Sequence, residues 1–305
     1  MESNWRSSEN NKLWKVMLGI FLAAAVICLV ITGVRAYRQD QAETRLEQLA
    51  ENTGNGEEEL SHPSEASAEE AQSAAQESIR ESTDVPGTEG EISMGEMETS
   101  LKALENMGIP IPEKEIDFAE LQTAVNPDIY AWIYIPDTLI DYPVLQHPTD
   151  NLYYLNYNLD GSRGYPGCIY TEDYNAKDFS DPNTVIYGHN MKNGTMFAGL
   201  HKFEDSAYFE EHPYVYIYTE EKLYVYEIFA AYESGNEHIL YNNDFANEYV
   251  YSNYLEDIFA IRAMNSNIKE GAEVTAEDRI VTLSTCVANK SDRRYLVQGV
   301  LLNED

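Results

Sequence analysis

The chain has 305 residues, of which 53 are acidic and 20 are basic, so its formal net charge is −33. A protein of this charge repels phosphate backbones, which argues against a nucleic-acid-binding function. Apolar residues make up 43% of the chain and only 3 residues are cysteines, which fits a globular core but neither a polytopic membrane protein nor a disulfide-rich scaffold. No glycine-rich phosphate-binding stretch is present, so we expect no nucleotide cofactor.

The N-terminal region is predicted to contain a membrane anchor. Residues 16–34 form a run of 19 residues without a charged side chain, and a helix of this length spans the roughly 30 Å hydrocarbon core of a bilayer. Trp14 and Tyr37 flank the run, as aromatic residues often do at membrane interfaces. A cleaved signal peptide is the alternative, but no Ala-X-Ala cleavage site follows the run. Three basic residues lie on each side, so the charges do not decide the orientation.

Residues 35–105 are predicted to be an acidic, disordered spacer. Within this stretch, residues 51–100 carry 14 acidic side chains, one basic side chain and no Phe, Trp or Tyr. Such a composition buries too little apolar surface to offset the entropy of ordering the chain. An acidic binding tail is the alternative use of the stretch. As a spacer, it would hold the folded domain, residues 106–305, away from a membrane.

The domain at 106–305 is predicted to be mainly β. A short helix over 118–125 can be capped by Asp117, and a longer helix is expected over 248–263. Eight short runs of apolar, β-branched and tyrosine residues are separated by turn residues. The predicted strands cover residues 132–135, 142–145, 168–170, 184–187, 214–218, 223–231, 280–283 and 295–302. This pattern favours a β-barrel or sandwich with helical insertions, and a Thr-Glu-Glu-Lys turn between two Tyr-rich runs predicts a hairpin.

Cys286 is the candidate nucleophile. It closes the strand-forming run at 280–285, where the strand gives way to a loop and where scaffolds often present catalytic groups, whereas Cys28 lies in the membrane run. Cys168 lies within a strand and is interpreted as a buried small hydrophobic residue. Arg293 and Arg294 follow Cys286 where the next strand begins. In a hairpin, one of them would lie beside the thiol, favour its thiolate form and stabilise an oxyanion.

His189 is the candidate general base. It follows a predicted strand and a glycine, which presents its side chain at the end of the strand. A turn histidine without a chemical role is the alternative at this position. The remaining histidines are interpreted as spacer, surface or turn residues: His62, His147, His201, His212 and His238.

Several segments carry recognisable motifs in a fixed order. Residues 187–192 read Tyr-Gly-His-Asn-Met-Lys and are followed by a Gly-Thr-Met-Phe segment. Residues 282–286 read Thr-Leu-Ser-Thr-Cys, with a basic residue before the Val-rich strand that follows. Upstream, residues 140–144 read Ile-Asp-Tyr-Pro-Val, and residues 150–155 read Asp-Asn-Leu-Tyr-Tyr-Leu. Together these segments resemble the sortase family, class B in particular.

The resemblance implies a fold, an activity and a location. It implies a closed eight-stranded β-barrel with N-terminal helices and a helix before the cysteine strand. Sortases are membrane-anchored cysteine transpeptidases of Gram-positive bacteria with an extracellular catalytic domain, so residues 1–15 would be a short cytoplasmic N-terminus and residues 16–34 a single-pass anchor. The cysteine attacks a carbonyl in the C-terminal sorting signal of a surface protein, often similar to Asn-Pro-X-Thr-X in class B. An amine of a peptidoglycan precursor or a pilin then resolves the acyl-enzyme, and neither a cofactor nor a metal ion is implied.

The resemblance also assigns roles by position. Cys286 matches the nucleophile, His189 the catalytic histidine, and Arg294 the catalytic arginine, which directly precedes its strand in the family. Four positions would line the groove for the sorting signal: Asn151, Leu155, Ser284 and Thr285. The chain departs from the family where Cys168 replaces a more usual small residue, and where Val-Gln-Gly-Val at 297–300 replaces a more basic stretch. A membrane-tethered protease that only hydrolyses and a non-enzymatic surface assembly factor are the two alternative functions.

Overall fold

The computed structural model describes residues 3–54 and 101–303, so the predicted spacer between 55 and 100 lies outside the described residues. Helix α1 (Ser3–Gly54) contains the apolar run and continues beyond it. A search of the described residues finds no helical stretch with the length and hydropathy needed to span a bilayer. Part of the predicted span at 16–34 lies outside the residues whose side chains are described.

Residues 35–54 are helical, although the sequence assigned them to a disordered spacer. Leu46, Leu49 and Ala50 have the i, i+3, i+4 spacing of an apolar helix stripe, and this stripe packs on the core of the domain. Leu46 is only 4% exposed. The acidic composition that argues for disorder is concentrated after residue 50, so the predicted boundary at residue 35 was wrong.

The rest of the described chain is organised around a β-sheet. Its strands are β1 (Ile129–Tyr134), β2 (Asp141–Leu145), β3 (Ile169–Thr171), β4 (Asn183–Tyr187), β5 (Tyr214–Thr219), β6 (Leu223–Gly235), β7 (Asn267–Ile268), β8 (Ile280–Val287) and β9 (Lys290–Leu301). Within the described ranges, eight strands close a ring in the order β1-β2-β3-β4-β8-β9-β6-β5, because β5 pairs with both β1 and β6. The short strand β7 pairs only with β6 among these strands.

Helices cover parts of this barrel. They are α2 (101–106), α3 (Phe118–Glu120), which continues as a π-helical turn (Leu121–Val125), α4 (Tyr153–Asn156), a 3₁₀ helix (Phe197–Glu204), α5 (Ser206–Glu211), α6 (Ile239–Asn242) and α7 (Glu248–Phe259). The closed eight-stranded barrel, the N-terminal helices and the helix before the cysteine strand are therefore confirmed.

The helix boundaries follow from local hydrogen bonds. The side chain of Asp117 accepts the Glu120 N–H at 2.8 Å, which caps α3 as predicted. Helix α7 ends at Phe259, before the predicted residue 263. The guanidinium of Arg262 donates to the carbonyl oxygens of Phe259 and Ile261, both at 2.6 Å, and so satisfies acceptors left free where the helix stops.

Strand register places three chain segments at one rim of the barrel. Strands β4 and β8 are parallel neighbours, with Tyr187 opposite Ser284. Strands β8 and β9 form an antiparallel hairpin in which Cys286 lies opposite Arg294. Strand β9 begins at Lys290, earlier than the predicted residue 295, because the turn that precedes it contains only two residues between the strands. The end of β4, the end of β8 and the first part of β9 therefore meet.

Helix α7 fixes the opposite ends of the same two strands. It packs on the outside of the barrel through Tyr251, Leu255 and Ile258. The Tyr251 hydroxyl lies 3.1 Å from the oxygen of Pro182 and 2.9 Å from the oxygen of Asp278. Pro182 directly precedes β4, and Asp278 lies just before β8. The buried Tyr251 side chain therefore fixes the relative position of the two strands that lead to the rim.

Candidate active site

Cys286 lies at the rim and its side chain is exposed. Opposite residues of an antiparallel pair project from the same face of a sheet, so Arg294 lies beside it. Arg293 is opposite Gly235 of β6 instead, and its guanidinium lies 3.8 Å from the Glu233 carboxylate. The register therefore places Arg294, rather than Arg293, next to the thiol.

The backbone before His189 is pinned between strands. The Gly188 N–H donates to the Ser284 oxygen at 3.2 Å, and the Thr285 hydroxyl donates to the Gly188 oxygen at 2.8 Å. A Cβ at Gly188 would lie 2.5 Å from Ile169 Cδ1 and 2.7 Å from Phe197 Cγ. Only glycine fits this close approach, and its two hydrogen bonds tie the start of the histidine loop to the strand that carries Cys286.

The His189 ring is oriented by a backbone carbonyl. Its Nε2 atom lies 2.8 Å from the oxygen of Leu155, and the Tyr165 ring packs edge-on at a centroid distance of 5.0 Å. Because a carbonyl can only accept, Nε2 carries the hydrogen in this arrangement. The lone pair is then on Nδ1, which is the nitrogen able to take up a proton.

One open cleft of about 200 Å³ brings the predicted groups together. His189, Cys286 and Arg294 all line it, as do the predicted groove residues Leu155, Ser284 and Thr285. Thr285 is only 2% exposed and its hydroxyl is used by Gly188, so it supports the cleft from below. In the described part of the chain, no group of His, Cys, Asp and Glu side chains is placed to hold a metal ion.

Asn151 is not among the residues that line the cleft. Its side-chain amide donates to the Asp173 carboxylate at 2.6 Å, and its side-chain oxygen accepts the Asp173 N–H at 2.8 Å. This reciprocal pair joins the loop before α4 to the loop after β3. Asn151 therefore stabilises two loops next to the site, and the structure does not place its side chain in the cleft where the sorting signal was predicted to bind.

A second set of polar side chains holds the backbone of the nucleophile. The Asn190 amide donates to the Cys286 oxygen at 2.9 Å, and His201 Nε2 lies 3.0 Å from the same oxygen. The other ring nitrogen of His201 lies 2.6 Å from the Glu204 carboxylate, and the ring stacks on Tyr295. The sequence favours a surface or turn role for His201, whereas the structure places it against the backbone of the nucleophile. Asn190 directly follows the histidine motif, but no local sequence signal points to His201, because the contact spans 85 residues.

The second cysteine of the domain is in a different environment. Cys168 is only 1% exposed, and burial raises the pKa of its thiol far above its usual range. It therefore stays a protonated thiol, in agreement with the prediction of a buried small residue. Burial also raises the pKa of Tyr170 and Tyr187, which line the cleft, so both are neutral hydroxyls.

Comparison with known proteins identifies this arrangement. A family model described as the sortase domain matches residues 133–302, more than half of the chain. The chain belongs to the sortase family. Its similarity is to class B: this sortase is 37% identical over 157 residues to Sortase B of Listeria monocytogenes, which covers 51% of the present chain and 62% of that protein. The chain thus spans about three fifths of the length of the curated relatives it matches.

Solved structures of class B sortases have the same fold as this sortase. The Clostridium perfringens sortase B structure aligns with a TM-score of 0.55 at 31% identity, over 61% of this chain and 100% of that chain. Sortase B from B. anthracis in complex with AAEK1 aligns with a TM-score of 0.54 at 35% identity, over 61% and 84%. The classification as a class B sortase is therefore confirmed.

Proposed function

We propose that this sortase is a cysteine transpeptidase that cleaves a C-terminal sorting signal through a thioacyl-enzyme. The observation that carries the proposal is the placement of Cys286, Arg294 and His189 on one cleft at the barrel rim. A nucleophile, a neighbouring guanidinium and a histidine with one lone pair are the groups that acyl transfer requires. The class B relatives support the same assignment.

Each group has a separate task in the proposed reaction. The Cys286 thiol first gives its proton to Nδ1 of His189, and the sulfur then attacks the scissile carbonyl carbon as a thiolate. The guanidinium of Arg294 donates hydrogen bonds to the oxyanion that forms. The amide bond then breaks, and the leaving amine takes a proton from His189. An incoming primary amine attacks the thioester, His189 removes its proton, and the thiolate is released. Asn190 and His201 fix the carbonyl of Cys286, and so the direction of its side chain, throughout both steps.

The acceptor and the location are part of the same proposal. The acceptor is an amine of a peptidoglycan precursor or of a pilin, and the sorting signal belongs to a surface protein. Residues 16–34 anchor the chain in the cell membrane, with residues 1–15 in the cytoplasm and the catalytic domain outside; the uncharged run and the family resemblance support this. Protease added to intact cells should therefore digest the domain, whereas a protected domain would place it inside the cell.

Trapping of the acyl-enzyme tests the reaction. The full chain is incubated with a set of peptides of the form Asn-Pro-X-Thr-X, and the mass of the protein is measured. The parent and Cys168→Ala should gain the N-terminal peptide fragment, and Cys286→Ala should not. An adduct on the Cys286→Ala protein would refute the assignment of the nucleophile.

An added amine separates transfer from hydrolysis. With triglycine present, the released product should be the peptide–triglycine conjugate. A product distribution that does not change with triglycine would instead identify a protease that only hydrolyses. Full surface-protein display in cells that carry Cys286→Ala would identify a non-enzymatic assembly factor.

A further inference from the structure

One wall of the active-site cleft contains no group that the proposed reaction uses. This wall is the segment 235–239, which connects β6 to α6 and lines the same cleft as Cys286 and Arg294. A peptide bound beside the thiol in this cleft would lie close to the wall, so the position of the segment would affect how a sorting signal is held.

A buried carboxylate ties the wall to the strands of the barrel. His238 Nε2 lies 2.6 Å from a carboxylate oxygen of Glu172, the residue that follows β3. The Glu172 side chain is only 7% exposed. Burial and, to a smaller extent, the nearby charge of Glu172 raise the pKa of the Tyr187 hydroxyl. Tyr187 ends β4, two residues before His189. Glu172 thus lies between the cleft wall and the strand that leads to the candidate base.

The two nitrogens of the His238 ring have separate tasks. Nδ1 accepts the Tyr241 N–H at 3.0 Å and caps the N-terminus of α6. A nitrogen that accepts from a backbone N–H carries no hydrogen, so Nε2 is the protonated nitrogen and donates to Glu172. The cap is a contact between near neighbours, whereas the contact with Glu172 spans 66 residues. Of these two contacts of His238, the second ties the wall to the barrel.

We propose that Glu172 and His238 form a positioning pair that holds the 235–239 wall in place for binding of the sorting signal. Neither residue is part of the proposed nucleophile, base or oxyanion site, so the pair acts on peptide binding and leaves the chemistry at Cys286 unaffected. This inference rests on the proposed function for its kinetic consequence, but its structural consequence can be measured without a substrate.

Two substitutions of His238 separate the cap from the positioning contact. In His238→Asn, the amide oxygen can take the place of Nδ1 and keep the cap, but the shorter side chain cannot reach Glu172. In His238→Gln, the amide nitrogen can take the place of Nε2 and donate to Glu172. His212→Asn is the control, because His212 also pairs with a carboxylate, that of Asp137 at 3.3 Å, but does not line the cleft.

Three measurements on the full chain test the proposal. Hydrogen exchange reports the mobility of 235–239, alkylation by iodoacetamide reports the reactivity of Cys286, and turnover of the best Asn-Pro-X-Thr-X peptide gives KM and kcat. We expect His238→Asn to speed exchange across 235–239 at least fivefold and to raise KM at least fivefold. Its kcat and alkylation rate should stay within about twofold of the parent. His238→Gln should recover most of both losses, and His212→Asn should match the parent.

Several results would overturn the positioning pair. The first is a His238→Asn protein whose exchange rate at 235–239 and KM equal those of the parent. The second is a His238→Gln or His212→Asn protein whose exchange rate and KM rise as much as those of His238→Asn. The third is slower alkylation of Cys286 together with a lower kcat in His238→Asn. If the parent turns over none of the peptides, the proposed function fails in that form, but exchange and alkylation still decide the matter. Faster exchange at 235–239 in His238→Asn with parental alkylation would then support the pair, and unchanged exchange would refute it.

Discussion

A methyl group added at Gly188 should damage the site while leaving its reacting groups in the chain. The added Cβ would approach Ile169 Cδ1 to 2.5 Å and Phe197 Cγ to 2.7 Å, whereas ordinary contacts begin at 3.4 Å. The shortfalls are 0.9 Å (3.4 − 2.5) and 0.7 Å (3.4 − 2.7). The Phe197 ring is fully buried and cannot swing away. The backbone at residue 188 therefore has to move by several tenths of an ångström.

This movement has two expected magnitudes. Overpacking a filled core typically costs about 1–3 kcal/mol of stability. A shift of about 1 Å in a catalytic group can lower a rate by about 100-fold. His189 follows Gly188 directly, and the Gly188 backbone is hydrogen-bonded to Ser284 and Thr285. A shift at residue 188 therefore displaces both His189 and strand β8. We expect Gly188→Ala to slow acylation of Cys286 by roughly 10–100-fold.

Gly199→Ala is the matched control for this substitution. Gly199 is also buried, within the 3₁₀ helix, but a Cβ there would lie 3.3 Å from Thr138 Cβ and 3.4 Å from Ile140 Cδ1, which needs little adjustment. Acyl-enzyme formation is followed by mass spectrometry, and folding by thermal denaturation. A folded Gly188→Ala protein that acylates within about threefold of the parent would refute the reasoning, as would an equal loss in Gly199→Ala.

Two further predictions concern charged groups at the cleft. Arg294→Lys should slow acylation by about 10²–10³-fold, because an ammonium cannot reproduce the planar donor fork of the guanidinium beside Cys286. Arg293→Lys should have only a small effect on the same rate. Equal losses of rate in the two variants would mean that the strand register does not identify the catalytic arginine. Burial raises the pKa of the Glu172 carboxyl in the fold, so the charged form is disfavoured there and the protein gains stability as the pH falls through that raised value. Glu172→Gln should therefore melt at a higher temperature than the parent at neutral pH, with a difference that shrinks towards about pH 4; a constant difference would contradict this sign.

Local patterns were sufficient to predict several parts of the site. The two Tyr-rich runs and the turn between them gave the β5–β6 hairpin, because alternation and turn residues fix register over a short distance. The same logic placed an arginine beside Cys286, and the β8–β9 register has Arg294 there. The paired residues of β5 and β6 are at most 13 positions apart, and Cys286 and Arg294 are 8 apart, so the sequence alone contains the information.

Contacts across the barrel could not be predicted in this way. Three such contacts join residues that lie 66 to 96 positions apart. They are the hydrogen bonds from Asn190 and His201 to the Cys286 oxygen and the pairing of Glu172 with His238. They depend on which strands become neighbours, which periodicity does not specify. The helical segment 35–54 was missed for a different reason. Its apolar stripe is short and lies between the long apolar run and the acidic stretch, so no strong local pattern marks it as part of the folded domain.

The parallel pairing of β4 with β8 also has a consequence for how activity is acquired during folding. The hydrogen bond between Thr285 and Gly188 closes a loop of 97 residues, and closing a long loop costs entropy before its contacts repay that cost. The half of the site that carries His189 and the half that carries Cys286 can therefore each form early as local structure, yet neither holds the other in place. Reactivity towards a peptide arises only when the ring of strands closes. The rate at which a refolding sample regains acylation is thus a measure of barrel closure itself, and it should lag behind the recovery of β-sheet signal.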